Sequence, residues 1–177
     1  DQVADFLFSA ISVVLYCDML YVLLEDKLLF TRDCVQRLSI SLSTVHEGLP
    51  ILMSITHHFL IIATELGFLK IFDVSQEDPS LVGESIVLRT DSPNIRKPPT
   101  KASNSIRSIE CNSTGMLVSI ITTEPNNSSA LSNLYLANVS SGDQRCVKIS
   151  DGEKLSHFWD QFEPNIFCCE TDTSETE

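Results

Sequence analysis

Four histidines, six cysteines and a broad scatter of Ser, Asp and Glu are the residues of this chain that could do chemistry. A metal centre would need His46, His57, His58 or His157 at ligand spacing from one another or from Cys and carboxylates. No such interval occurs, and no CxxC pair is present. The adjacent His57-His58 falls between two apolar runs, which predicts a polar turn rather than a ligand pair. The cysteines are Cys17, Cys34, Cys111, Cys146, Cys168 and Cys169, too widely spaced in 177 residues for a compact disulfide framework. Most fall within strand-like runs, where a free Cys behaves as a small hydrophobe, so a reducing cytosol is expected. Cys168 and Cys169, as neighbours on a strand, would point to opposite faces and could not chelate together. The serines form no GxSxG elbow, and the six glycines supply no phosphate-cradling loop. Glu25-Asp26 and Glu77-Asp78 read as solvated turn residues. The expectation is a chain with no catalytic residue, no metal and no cofactor, and not an enzyme.

The charge balance narrows the partners. Twelve basic residues against 24 acidic ones give a net charge of −12. Phosphate backbones require clustered Lys and Arg, whereas here the nearest approach to a cluster is Arg96-Lys97 with Lys101. Nucleic acid is therefore excluded as a partner. The apolar segment Phe6 to Leu24 has the length of a membrane span or signal peptide. It lacks a basic flank, however, and Asp18 interrupts it, so it reads as adjacent buried strands. The absence of an initiating Met predicts a fragment or excised domain. Asn-X-Ser/Thr triplets begin at Asn112, Asn126, Asn127 and Asn138, all in Asn/Ser-rich stretches whose turn chemistry produces such triplets by itself.

The elements that would position any site are short strands. Ser12 to Cys17, Leu20 to Leu24, Lys27 to Thr31 and Val35 to Leu42 form a first group, with Glu25-Asp26 as a hairpin turn and strict alternation over Arg37 to Leu42. A second unit opens at Pro50, with strands at Ile51 to Ile55, Phe59 to Thr64, Phe68 to Asp73 and Ser85 to Leu88. Its hairpin His58 to Val74 is the clearest in the chain and closes on Phe72-Asp73. A third unit holds Ser105 to Cys111, Met116 to Thr122, Ser132 to Val139 and Arg145 to Ile149, with Asn112-Ser113-Thr114-Gly115 as turn chemistry. A fourth begins at Lys154, with strands near Leu155 to Trp159 and Asn165 to Glu170. Residues 90 to 105 and Glu124 to Ala130 read as exposed loops, the first of them mobile, and Thr171 to Glu177 as an acidic tail. No helical periodicity longer than about two turns occurs.

Unit starts near Ile51, Ile106 and Leu155, with about four strands to each full unit, describe blades of a propeller. The fold class is all-β: an incomplete WD40-like β-propeller of about three to four four-stranded blades. Residues 1–48 are a degenerate first blade or blade remnant, and residues 49–170 the partial propeller, with blades near 50–90, 105–150 and 154–170. The tail is 171–177. The Trp159-Asp160 dipeptide does not end a third strand as it would in a WD40 repeat; Phe72-Asp73 occupies that position. Both ends of an open propeller would expose strand edges, which predicts association of the isolated chain.

Three segments carry a family resemblance. His157-Phe158-Trp159-Asp160-Gln161-Phe162-Glu163-Pro164-Asn165-Ile166-Phe167-Cys168-Cys169-Glu170 resembles the HFWDQ-x-EP-x-x-F-x-CE segment of the intraflagellar transport protein 140 family. Phe59 to Ser75 is similar to that family's hairpin ending F-D-L-S, and Ser105 to Gly115 to its strand and turn ending C-S-S-S-G. They occur in the same order from about Val35 to Glu170. The resemblance implies part of the second propeller of a subunit of intraflagellar transport complex A. Such a subunit acts in retrograde ciliary transport and in ciliary entry of membrane cargo. It further implies other complex A subunits and cargo adaptors as partners, and a place in the cilium (axoneme and basal body) and cytoplasm. No functional residue is carried over, because the matching motifs look like blade framework; Trp159 is expected to pack between blades. The alternatives are the propeller of a coat-like vesicle-trafficking scaffold and a secreted glycosylated β-domain.

Overall fold

A computed structural model describes residues 9–32, 35–42, 44–76, 78–82, 86–88, 105–123, 132–149 and 154–172. Residues 90–104 of the loop expected at 90–105, the loop Glu124 to Ala130 and residues 173–177 of the expected tail lie outside them, as do Asn126, Asn127 and Cys34; Ser105 and Thr171-Asp172, expected in that loop and tail, are strand residues instead.

The first sheet is a meander of four antiparallel strands: β1 (Ser12–Tyr16), β2 (Met19–Leu23), β3 (Lys27–Arg32) and β4 (Val35–Ser41). A two-residue turn, Cys17-Asp18, joins β1 to β2, and both residues take left-handed φ values of 47° and 61°. That geometry suits the right-handed twist of a tight hairpin. A one-turn helix, α1 (Thr44–Glu47), leads to the second sheet: β5 (Pro50–Thr56), β6 (Phe59–Thr64) and β7 (Phe68–Asp73). Two short strands, β8 (Ser80–Leu81) and β9 (Ile86–Val87), pair with opposite ends of β7. One outer strand at Ser85 to Leu88 is the sequence-based expectation. The chain instead divides that edge, so the polar groups along β7 are met by two short pieces with Pro79 just before the first. The third sheet runs β10 (Ser105–Cys111), β11 (Leu117–Thr123), β12 (Ser132–Asn138) and β13 (Gln144–Ile149). The fourth holds the hairpin β14 (Lys154–Trp159) and β15 (Phe167–Asp172).

The sheets stack face to face. β6 reads Phe-Leu-Ile-Ile-Ala-Thr and is buried along its whole length. With a side-chain period of two, it serves both neighbours. Leu60 and Ile62 pack with Met53, Phe72 and Val74 against Met19, Tyr21, Leu23, Leu28 and Phe30 of the first sheet. Phe59, Ile61 and Ala63, with Leu69 and Ile71, pack against Ile106, Ile109, Cys111, Val118, Ile120, Tyr135 and Ala137 of the third. The first strands run side by side, β1 against β5, β5 against β10 and β10 against β14. They form an inner rim from which the other strands extend outwards. On the far face of the first sheet, Val22, Leu24 and Leu29 form a smaller cluster, while Val13 and Leu15 of β1 are exposed.

Candidate interaction surface

The turns that leave the inner strands lock onto one another. After β5, His57-His58 makes a two-residue turn in which His57 takes φ 55°, and the His58 ring lies 4.1 Å from that of Phe59. Phe59 in turn meets the β10–β11 turn. Gly115 sits there with φ 69°, and a Cβ on it would fall 2.6 Å from Phe59 ring carbons. Only glycine meets both demands, the left-handed backbone and the close approach. Cys111 is buried beside this contact, with its Sγ 3.7 Å from the Thr56 carbonyl oxygen. Burial pushes its thiol up to about 12, so it is inert at neutral pH.

Asn112 builds the next link. Its Oδ1 accepts from Met116 N (3.0 Å), Leu117 N (3.1 Å) and Thr114 Oγ1 (3.1 Å), which shapes the turn. Its Nδ2 donates to the Pro164 carbonyl at 3.0 Å, which ties the β14–β15 loop to the third sheet. A glycan on Asn112 would have to replace this bond on a buried side chain. Asn138 is likewise spent on its own turn, where its Oδ1 accepts from Ser140 N, Ser140 Oγ and Ser141 N.

The seam between the third and fourth sheets is polar where the first two are apolar. His157 and Trp159 of β14 point into it. Ser108 Oγ and His157 Nε2 are hydrogen-bonded at 2.8 Å, and Trp159 Nε1 donates to Ser119 Oγ at 3.0 Å. Phe167 packs at 5.0 Å from the Trp159 ring. His157 is buried, and desolvation holds it down to about 4, so it is neutral; its Nδ1 has no partner among the described residues. Glu110 faces the same seam half-buried, and burial pushes its carboxyl up.

The four histidines therefore do not converge. His46 is exposed on α1, His57 and His58 share a turn, and His157 is sealed in the polar seam. Among the described residues no group of three His, Cys, Asp or Glu side chains gathers as a metal site would require. Cys17, Cys168 and Cys169 are exposed free thiols. Cys168 pairs with Phe158 and Cys169 with the inward His157, so the two occupy opposite faces. No described helix is long and apolar enough to cross a membrane. One groove of about 260 Å³ opens on the turn-bearing side between the first two sheets. It is lined by Tyr16, Cys17, Met19, Tyr21, Arg32, Val74, Ser75 and Gln76. It holds no pair of nucleophile and base.

Meanders stacked face to face, with their first strands side by side, are the blades of a β-propeller. The crystal structure of the Cps50 (Swd1) β-propeller domain from Myceliophteria thermophila is similar, with a TM-score of 0.54 and 15% identity. The match covers 83% of this chain and 43% of that one, so the chain spans less than half of the propeller it resembles. The chain belongs to the IFT140 second β-propeller family, whose model matches residues 2–155. The His157 to Glu170 segment lies beyond that span.

Proposed function

We propose that this chain is a non-enzymatic scaffold, part of a WD-repeat propeller in a subunit of intraflagellar transport complex A. In this reading it contributes contacts to other complex A subunits and cargo adaptors. It serves retrograde transport along the axoneme and entry of membrane cargo at the ciliary base, between cytoplasm, basal body and cilium. Residues 1–48 are a degenerate first blade or blade remnant, and the blades near 50–90 and 105–150 follow, with the last opening at Lys154 and running through β15. The observation that carries the reading is the family match over residues 2–155. It is supported by a chain whose polar chemistry is spent on holding blades together: Asn112, Ser119, His157 and Trp159 all bond across seams or within turns.

The test is affinity purification of the full-length protein from ciliated cells, with imaging of its location. Co-purification of complex A subunits and accumulation at the ciliary base are expected. A full-length protein that purifies without any of those subunits refutes the reading.

A further inference from the structure

The β14–β15 loop is built more firmly than a connector needs. Asp160 Oδ1 accepts from Phe162 N and Glu163 N, each at 2.8 Å. Ile166 N donates to Glu163 O at 3.0 Å, and Asp160 N to Ile166 O at 3.0 Å. Pro164 O is held from outside by Asn112 Nδ2. These bonds fix a loop that presents an apolar side chain to solvent. Phe162 is 82% exposed and Ile166 55%, while Met116, on the neighbouring turn that Asn112 shapes, is 46% exposed. Five other residues of the His157 to Glu170 segment have structural work. His157 and Trp159 bond into the seam, Asp160 closes the turn, Pro164 anchors it and Phe167 packs on Trp159. Phe162 does none of this.

An aromatic side chain held rigidly in water costs exposure without a folding return, and it suits an interface anchor that loses little freedom on docking. The surroundings select the partner. Asp160, with the two backbone amides holding its carboxyl below the usual range, stays charged, and Glu163 is exposed on the same loop. The chain as a whole carries −12.

We propose that Phe162, on a loop that also exposes Ile166 and that is bonded to the turn bearing Met116, is a docking knob for a folded protein partner that offers an apolar pocket rimmed by Lys or Arg. This rests on the scaffold reading above and adds to it the place and the chemistry of one contact. The test uses the full-length protein against each purified complex A subunit in turn. Phe162→Ala should weaken binding to one subunit by roughly 10- to 100-fold. Phe162→Leu should restore part of it, and Glu163→Lys should slow association in a salt-dependent way. All three should melt with the wild type, since the replaced side chains are exposed. Wild-type binding that Phe162→Ala leaves unchanged overturns this inference and leaves the scaffold reading standing. Weakened binding together with a lowered melting point overturns it too, because an anchor that is exposed cannot support the fold. Oxidative footprinting that finds Phe162 covered in the full-length protein alone does the same. A wild type that binds no subunit overturns both.

Discussion

Acid should loosen the seam between the third and fourth sheets, and His157 sets the window. In the folded chain its imidazole is held down to about 4 by burial, against 6.5 when unfolded. The unfolded chain therefore binds a proton that the folded chain refuses. Stability from this group is complete above 6.5 and is lost as pH falls from 6.5 towards 4. At about 1.4 kcal/mol per pKa unit the whole shift has a ceiling of about 3 kcal/mol. Solvent reaching the edge of the seam reduces this, leaving about 1 kcal/mol lost at pH 5. Glu110 acts in the opposite direction, since its raised carboxyl is relieved by protonation. Asp73 and Asp160 lie below 3.8 and keep their charge at pH 5. The assay is urea unfolding followed by fluorescence of Trp159, the single Trp, which sits in this seam. Between pH 7 and pH 5 the midpoint should fall by about 0.5 M, for an m-value of about 2 kcal/mol/M. His157→Gln keeps a neutral group within reach of Ser108 and should flatten that dependence. Wild type and variant falling in parallel would refute the assignment.

Gly115→Ala forces both a left-handed φ and a Cβ contact with Phe59, so urea unfolding should show a loss of roughly 2–4 kcal/mol. Gly142→Ala has the same φ requirement with nothing near its Cβ, and should cost only about 1 kcal/mol. Asn112→Asp keeps the turn acceptors but sets a carboxylate against Pro164 O. It should destabilise by roughly 2–3 kcal/mol and release Phe162 to faster proteolysis, while Asn112→Ser should do so less. Under native conditions a thiol reagent at pH 8 should label Cys17, Cys168 and Cys169 within minutes and leave Cys111 unmodified until unfolding, as peptide mapping would show.

Much of the blade framework was legible because it follows from period-two patterning. The hairpin Phe59 to Val74 turns at Gly67, whose φ of 82° closes it, and the continuous apolar run of β6 signals burial on both faces. The turn at Asn112 to Gly115 was legible for the same local reason. The outer edge of the second sheet was not: β8 and β9 are two residues each, shorter than any pattern can register. The polar seam was also out of reach. Ser119 is 40 residues from Trp159 and Ser108 is 49 from His157, and neither serine differs in its local context from the many exposed ones. The sequence does not show that Phe162 is exposed, nor that its loop is held at Pro164 by Asn112, 52 residues away.

The two kinds of seam explain why framework and display coexist in one motif. Apolar stacking of β6 against both neighbours is strong but non-directional, so it fixes that the sheets meet and leaves their sliding weakly determined. Hydrogen bonds supply the missing direction, because each tolerates only a few tenths of an ångström. At the third seam, Ser108 to His157, Ser119 to Trp159 and Asn112 to Pro164 pin three points along one face. Three fixed points define a plane, and so the loop from Asp160 to Ile166 has one orientation relative to the third sheet. An exposed aromatic on a loosely seated hairpin would cover many directions and bind weakly in each. On this one it points a single way. The polar residues that look like chemistry in the sequence therefore act as alignment, and the residue left free by that alignment is the one suited to a partner.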